Sequence, residues 1–179
     1  VEVLNGGTLT TDAAAIGLAP GGGSPLGTER SFAAVLVDGP NSVWRITGNP
    51  THDIDAFVST ANHRNAVATI SLTNGGMLEV QGVQGSINGS GMNLTQGGGR
   101  TDMLISGIGS KLAFTGDNTY LQVGRQVGSA LLSILEGGSV TGMNYVSVGR
   151  DAAFGELVLD GAGSLMALTG TVSPEARGG

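Results

Sequence analysis

Two imidazoles, two carboxylates and a guanidinium stand close together in Thr51-His52-Asp53-Ile54-Asp55 and the nearby Asn62-His63-Arg64. A histidine beside carboxylates can hold a metal ion or exchange protons near neutral pH. The first stretch follows Gly48-Asn49-Pro50, which is turn chemistry, so a solvated polar loop accounts for it without further assumption. A second candidate is acidic. Asp53 and Asp55 could share a strand face, and Asp102, Glu136 and Asp160 could line up on stacked strands; glycoside cleavage needs two such carboxyls facing one groove about 5–9.5 Å apart. A third is Gly97-Gly98-Gly99-Arg100-Thr101-Asp102-Met103-Leu104-Ile105, which nearly spells the calcium nonapeptide G-G-x-G-x-D-x-U-x. Arg100 replaces its fourth-position glycine, and one copy cannot share Ca²⁺ between successive turns. The only tryptophan, Trp44, is expected to pack at the edge of a core and not to serve as a sugar platform. No catalytic residue, metal ligand or cofactor is assigned from these patterns.

The elements that would position such residues are announced by composition. Of 179 residues, 33 are glycine, 40% are apolar and only 4% aromatic. Each interior glycine costs a helix about 1 kcal/mol relative to alanine, whereas short strands joined by tight turns tolerate it. All-β is therefore the expectation. A net charge of −6 argues against nucleic acid or an anionic membrane surface as a partner, because both demand clustered Lys and Arg. There is no cysteine, hence no disulfide framework and no thiolate metal site. No apolar run reaches the roughly 18 residues of a membrane span, and the start VEVLNGG has neither region of a signal peptide. The chain reads as a processed or excised piece.

Repetition organises the chain. Val123-Gly124-Arg125 returns as Val148-Gly149-Arg150, 25 positions on. Two turn markers alternate strictly. One is a double glycine after Asn or Glu, at Asn5–Gly7, Asn74–Gly76 and Glu136–Gly138; the other is G-x-[GN]-S, at Gly39–Ser42, Gly107–Ser110 and Gly161–Ser164. Short runs rich in Val, Ile, Leu and Thr flank every marker, which is the strand signature. Like markers recur at 69 and 62 residues for the first kind, so one unit spans about half that, in the range of solenoids. Units this small cannot bury an apolar face alone and must stack, each strand pairing with its equivalent one unit on at about 4.8 Å. The result expected is a single right-handed parallel β-helix of about six coils over residues 1–179, clearest at 33–170 and less regular at 1–32. Its glycines are corners demanding positive φ and not a phosphate loop, since no Gly-Lys pair occurs.

The two marker types sit on different strands. TISLT alternates apolar and polar, but AVLVD, DMLIS and ELVLD hold an unbroken apolar run. With Val35/Val37, Met103/Ile105 and Leu157/Leu159 pointing inward, Leu36, Leu104 and Val158 point outward on every second coil. That apolar stripe is either covered by residues 17–31 or 81–100 or is a contact surface for a partner or second copy.

The phrase L-x-V-G followed by G-x-L-x-V/L-x-G-x-G-S-x-L/W, carried by Leu121–Leu165 and by Asp38–Trp44, resembles the glycine-rich repeats in passenger regions of bacterial autotransporters and related large surface proteins. The likeness covers most of residues 33–170. It implies a right-handed parallel β-helix exported to the extracellular space or bacterial cell surface, acting in adhesion, self-association or biofilm formation, or as a stalk. The partners implied are neighbouring coils of the same or a second chain and host or matrix glycans. A polysaccharide-binding or polysaccharide-degrading β-helix and a Ca²⁺-binding extracellular module are the alternatives.

Overall fold

The computed structural model describes residues 1–17, 30–83 and 89–171. Coil 1 consists of β1 (Glu2–Leu4), β2 (Thr8–Thr11) and β3 (Ala13–Ile16). Coil 2 has β4 (Ser31–Asp38), β5 (Val43–Ile46) and β6 (Phe57–Thr60), and coil 3 has β7 (Ala66–Thr73), β8 (Met77–Gln81) and β9 (Gly91–Leu94). Coil 4 follows with β10 (Arg100–Ser106), β11 (Lys111–Thr115) and β12 (Tyr120–Arg125). Coil 5 is β13 (Ser129–Leu135), β14 (Ser139–Thr141) and β15 (Tyr145–Arg150); β16 (Phe154–Asp160) and β17 (Leu165–Ala167) begin coil 6. The first sheet runs β1-β4-β7-β10-β13-β16, the second β2-β5-β8-β11-β14-β17 and the third β3-β6-β9-β12-β15. All of these pairings are parallel, and each strand pairs with its equivalent one coil away. This is a parallel β-helix of six coils. Among the described residues there is no α-helix.

The period of two along each strand fills the interior. In the first sheet, Val3, Val37, Leu72, Ile105, Ile134 and Leu159 stack as one inward column. Val37, Leu72, Ile105 and Ile134 are fully buried, as are Leu78, Leu112 and Val140 of the second sheet and Met92, Leu121 and Val123 of the third. Trp44 lies in the core edge at 3% exposure, its Nε1 donating to Thr11 Oγ1 at 3.1 Å. Residues 2–16, expected to be less regular, form a complete coil. The alanines of Ala13-Ala14-Ala15 hide its third strand from a reading based on β-branched residues.

The alternating markers are two corner geometries between the first and second sheets. Odd coils use three residues there and even coils four, since Leu4 pairs with Asp38 and Thr8 with Val43 across the corner. In odd corners the first two residues have positive φ: Asn5 (55) and Gly6 (79), Asn74 (51) and Gly75 (90), Glu136 (53) and Gly137 (87). Even corners place positive φ at the first and third positions: Gly39 (93) and Asn41 (65), Gly107 (92) and Gly109 (86), Gly161 (88) and Gly163 (82). The serine closing each even corner serves the odd corner before it. Ser42, Ser110 and Ser164 Oγ accept from the amides of Gly6, Gly75 and Gly137 at 2.9, 3.0 and 3.1 Å. Ser110 and Ser164 also donate to the carbonyls of Ser106 and Asp160. Coils are thereby clasped in pairs, 1 with 2, 3 with 4, and 5 with 6.

Between pairs the chemistry differs. Asp38 Oδ1 accepts from Thr73 Oγ1 at 2.6 Å and Asn74 Nδ2 at 2.7 Å, and Glu136 Oε2 accepts from Ser106 Oγ at 3.0 Å. The amides of Gly39 and Gly107 donate upward to the carbonyls of Thr73 and Leu135. A Cβ on Gly76 would fall 2.1 Å from Val37 O, and one on Gly138 2.5 Å from Ile105 O, so an odd coil above an even one requires glycine at that position.

Candidate functional site

The outward residues of the first sheet form a side-chain array in regular register. Leu36, Leu104 and Val158 do lie in one outward column, half-buried, but Ser71 and Ser133 alternate with them. The stripe is thus a row of apolar points about 10 Å apart, two strand spacings. Of the residues expected to cover it, 18–29 and 84–88 lie outside the described ones, whereas Gly91–Leu94 is a strand of the third sheet and not a cover over the first.

Nearer the strand starts, Phe32, Val67, Arg100, Ser129 and Phe154 stack in a second column. Phe32 is 71% and Phe154 64% exposed. A cavity of about 430 Å³ opens beside Phe32, walled by Arg30, Arg64, Arg100 and the backbone of Gly98 and Gly99. Arg30 and Arg64 are exposed, and neither makes an ion pair among the described residues. Arg100 is tied to Asp102, Nη2 to Oδ2 at 2.9 Å with Nε bonded to both carboxylate oxygens, and this pairing raises the guanidinium's pKa further. Arg100 also borders a second hollow of about 230 Å³ with Asp102, Leu131, Phe154 and Glu156. The groove is therefore basic at one end and acidic at the other, in a chain whose net charge is −6. Arg64, Arg100 and Asp102 were singled out from the sequence for other roles, whereas Arg30, Phe32 and Phe154 were not. The signal was there in the matching first positions of the strand runs, where Phe, Arg and Phe recur, but it appears only once the register is known.

The other candidates separate. His52 sits in a 3₁₀ turn, Pro50–His52, with Asp53 following in the left-handed region at φ 58; both are exposed. His63 and Arg64 belong to a different corner, between β6 and β7. Asn49 and Ile54 close the first loop with two backbone bonds, which explains it as a turn. No group of three or more His, Asp or Glu converges among the described residues. In Gly97–Ile105, Asp102 is engaged by Arg100, and the glycines answer a steric demand: a Cβ on Gly97 would lie 2.0 Å from Asn62 O and one on Gly99 2.4 Å from Ala66 O. Asp102, Glu136 and Asp160 do not share a column, because Asp102 pairs with Leu131 and Asp160 with Leu135, while Glu136 stands in a corner.

A polar column crosses the third sheet as Ser59, Asn93, Gln122 and Ser147. Ser59 Oγ meets Asn62 Oδ1 and Gln96 Oε1, whereas Asn93 Oδ1, Gln122 Oε1 and Ser147 Oγ are buried without a hydrogen-bond partner among the described residues. Tyr120, next to this column, has its phenol pKa raised, first by burial; Arg125 opposes the shift and Asp55 adds to it. The Val-Gly-Arg pair that opened the repeat aligns Val123 with Val148 and Arg125 with Arg150, so it marks successive coils. No family model, curated protein or solved structure matches the chain. No helix among the described residues is long and apolar enough to cross a membrane.

Proposed function

We propose that the chain is a structural segment, a stiff β-helical stalk of a secreted or cell-surface bacterial protein, lengthened by further coils at its coil 6 end. The observation that carries this is the state of the core there. Leu157 and Leu159 are 36% and 52% exposed, although Met103, Leu132, Ile105 and Ile134, their counterparts one and two coils back, are at most 1% exposed. Val148, aligned with the buried Val123, is 45% exposed. Open strand edges over an unfilled apolar section recruit another strand. The resemblance to passenger repeats supports the surface location and the stalk role. Leu36, Leu104 and Val158 then offer a lateral contact row to a neighbouring chain. Cross-linking and sedimentation of the triple Thr variant test that contact: a folded variant with unchanged assembly removes it. The stalk reading is tested by hydrogen exchange along β16 before and after one coil is appended; exchange that does not slow refutes it.

A second reading rests on the groove. Arg30 and Arg64, which make no ion pair among the described residues, stand beside the exposed ring of Phe32 and fit a carboxylated glycan, the guanidiniums taking the acid groups and the ring stacking on a sugar face. Binding of a polyuronate, but not of its neutral analogue, that Arg64→Glu weakens at least tenfold supports this, and equal binding of both polymers refutes it.

A further inference from the structure

We infer that the coil 6 end is selective: it accepts a coil with a three-residue, double-glycine corner and rejects one with a four-residue corner. This rests on the stalk reading and names the partner that reading needs.

Coil 6 ends in an even corner, and the structure contains two completed examples of what sits above one. Above coil 2 is Asn74-Gly75-Gly76, and above coil 4 is Glu136-Gly137-Gly138. Two features of both junctions, and a third of the coil 2 junction alone, are repeated on coil 6. The first is steric. Even corners bring their second residue, Pro40, Ile108 or Ala162, by backbone or side chain against the middle glycine of the odd corner above or below. A Cβ on Gly75 would come 3.3 Å from Pro40 Cα, and one on Gly137 would come 3.0 Å from Ile108 Cγ1 and 3.6 Å from Ala162 O. The last corner residue lies closer still, with Gly76 over Val37 O and Gly138 over Ile105 O. Leu159 holds the place of Val37 and Ile105 on coil 6. An even corner there would bring its serine Cβ onto the Leu159 carbonyl.

The second is the amide of the first even-corner glycine. Gly39 and Gly107 donate to the carbonyl ending the next coil's first strand, whereas Gly161, with no further coil above it among the described residues, donates to the neighbouring Asp160 Oδ1 at 2.7 Å. The third is Asp160 itself, which occupies the column of Asp38. Asp38 receives Thr73 and Asn74 from the odd coil above. Asp160 is a stopper at a free end and an acceptor once the end is covered.

The occupant is a further coil in parallel register and not the first coil of a second copy. That coil has the right corner, Asn5-Gly6-Gly7, but its inward Val3 and Ile16 are each only 6% exposed, so it offers far less bare core than coil 6 with Leu157 and Leu159 at 36% and 52%.

The test extends the full chain after Gly179 with a second copy of residues 61–83, either unchanged or with the copied corner Asn74-Gly75-Gly76 exchanged for Gly-Ile-Gly-Ser. Hydrogen exchange at Gly161 and along β16 is read by NMR, together with the melting temperature. The unchanged extension is expected to slow exchange at least tenfold and raise the melting temperature, and Asp160→Ala is expected to reduce that gain. The exchanged corner is expected to give neither effect. Equal protection from both extensions overturns the selectivity and leaves the stalk reading intact; protection from neither overturns both. Concentration-dependent head-to-tail growth of the unextended chain overturns the exclusion of its own first coil.

Discussion

Ser110→Ala isolates the clasp between paired coils. Ser110 is fully buried, and its hydroxyl makes two bonds: it accepts from the Gly75 amide at 3.0 Å and donates to the Ser106 carbonyl at 2.7 Å. Alanine fits the space but leaves both groups without that partner. A buried donor stripped of its acceptor costs about 1–3 kcal/mol, so a loss of roughly 2 kcal/mol is expected. For a chain of this size that lowers the melting temperature by about 4–8 °C. Ser164→Ala supplies the comparison, because it deletes the same two bonds, at 3.1 and 2.6 Å, on a coil open to water. There the stranded groups are rehydrated, and the expected cost is about 0.5–1 kcal/mol. Denaturant melts give the global figure. Amide exchange at Gly75 and Gly137 gives the local one, which matters because stacked repeats can open piecewise. A Ser110→Ala cost below 0.5 kcal/mol, or a larger cost at Ser164, would show that the serine is not what satisfies the odd corner and would refute the pairing of coils.

Gly76→Ala should be among the most damaging single changes, because its methyl would lie 2.1 Å from Val37 O; Gly7→Ala, whose nearest neighbour would be Leu4 O at 3.0 Å, should be milder, and comparative thermal melts decide the order. Leu132→Ala should cost about 2–5 kcal/mol, as for other buried leucines, and Leu157→Ala, one coil on and 36% exposed, clearly less, by denaturant titration. Tyr120 ionises with more difficulty in the folded state, so above the ordinary phenol value of about 10 the unfolded chain loses its proton first and stability falls as pH rises. Tyr120→Phe should flatten that alkaline slope in melts taken from pH 9 to 11.

Sequence reasoning reached the solenoid because corners leave marks. A coil must turn, the turn needs positive φ, and Asn-Gly or Gly-x-Gly records it within four letters. The strict order of the two markers was equally visible, but its cause was not. The partner of Ser110 is Gly75, 35 positions away, and no local pattern connects a hydroxyl to an amide one coil back. The candidate loops show the same limit from the other side. His52 and His63 are close in number, yet a β-helix sends residues eleven apart to different corners, whereas Phe32 and Phe154 share a column. In Gly97–Ile105 the glycines resembled a calcium loop because close backbone approach selects glycine whatever lies opposite; here it is Asn62 and Ala66. The groove was illegible because it is made of strand starts and the corner residues before them from several coils, and register is set by corner lengths that only the assembled stack reveals.

The clasped pair of coils also bears on how such a chain can change length over generations. On the inferred selectivity, losing or copying a single coil would set two four-residue corners, or two three-residue ones, against each other, so unequal recombination would be tolerated only in steps of two. The rod then has a quantum of length, two strand spacings or about 10 Å. A lineage measuring distance with it could count only in that step.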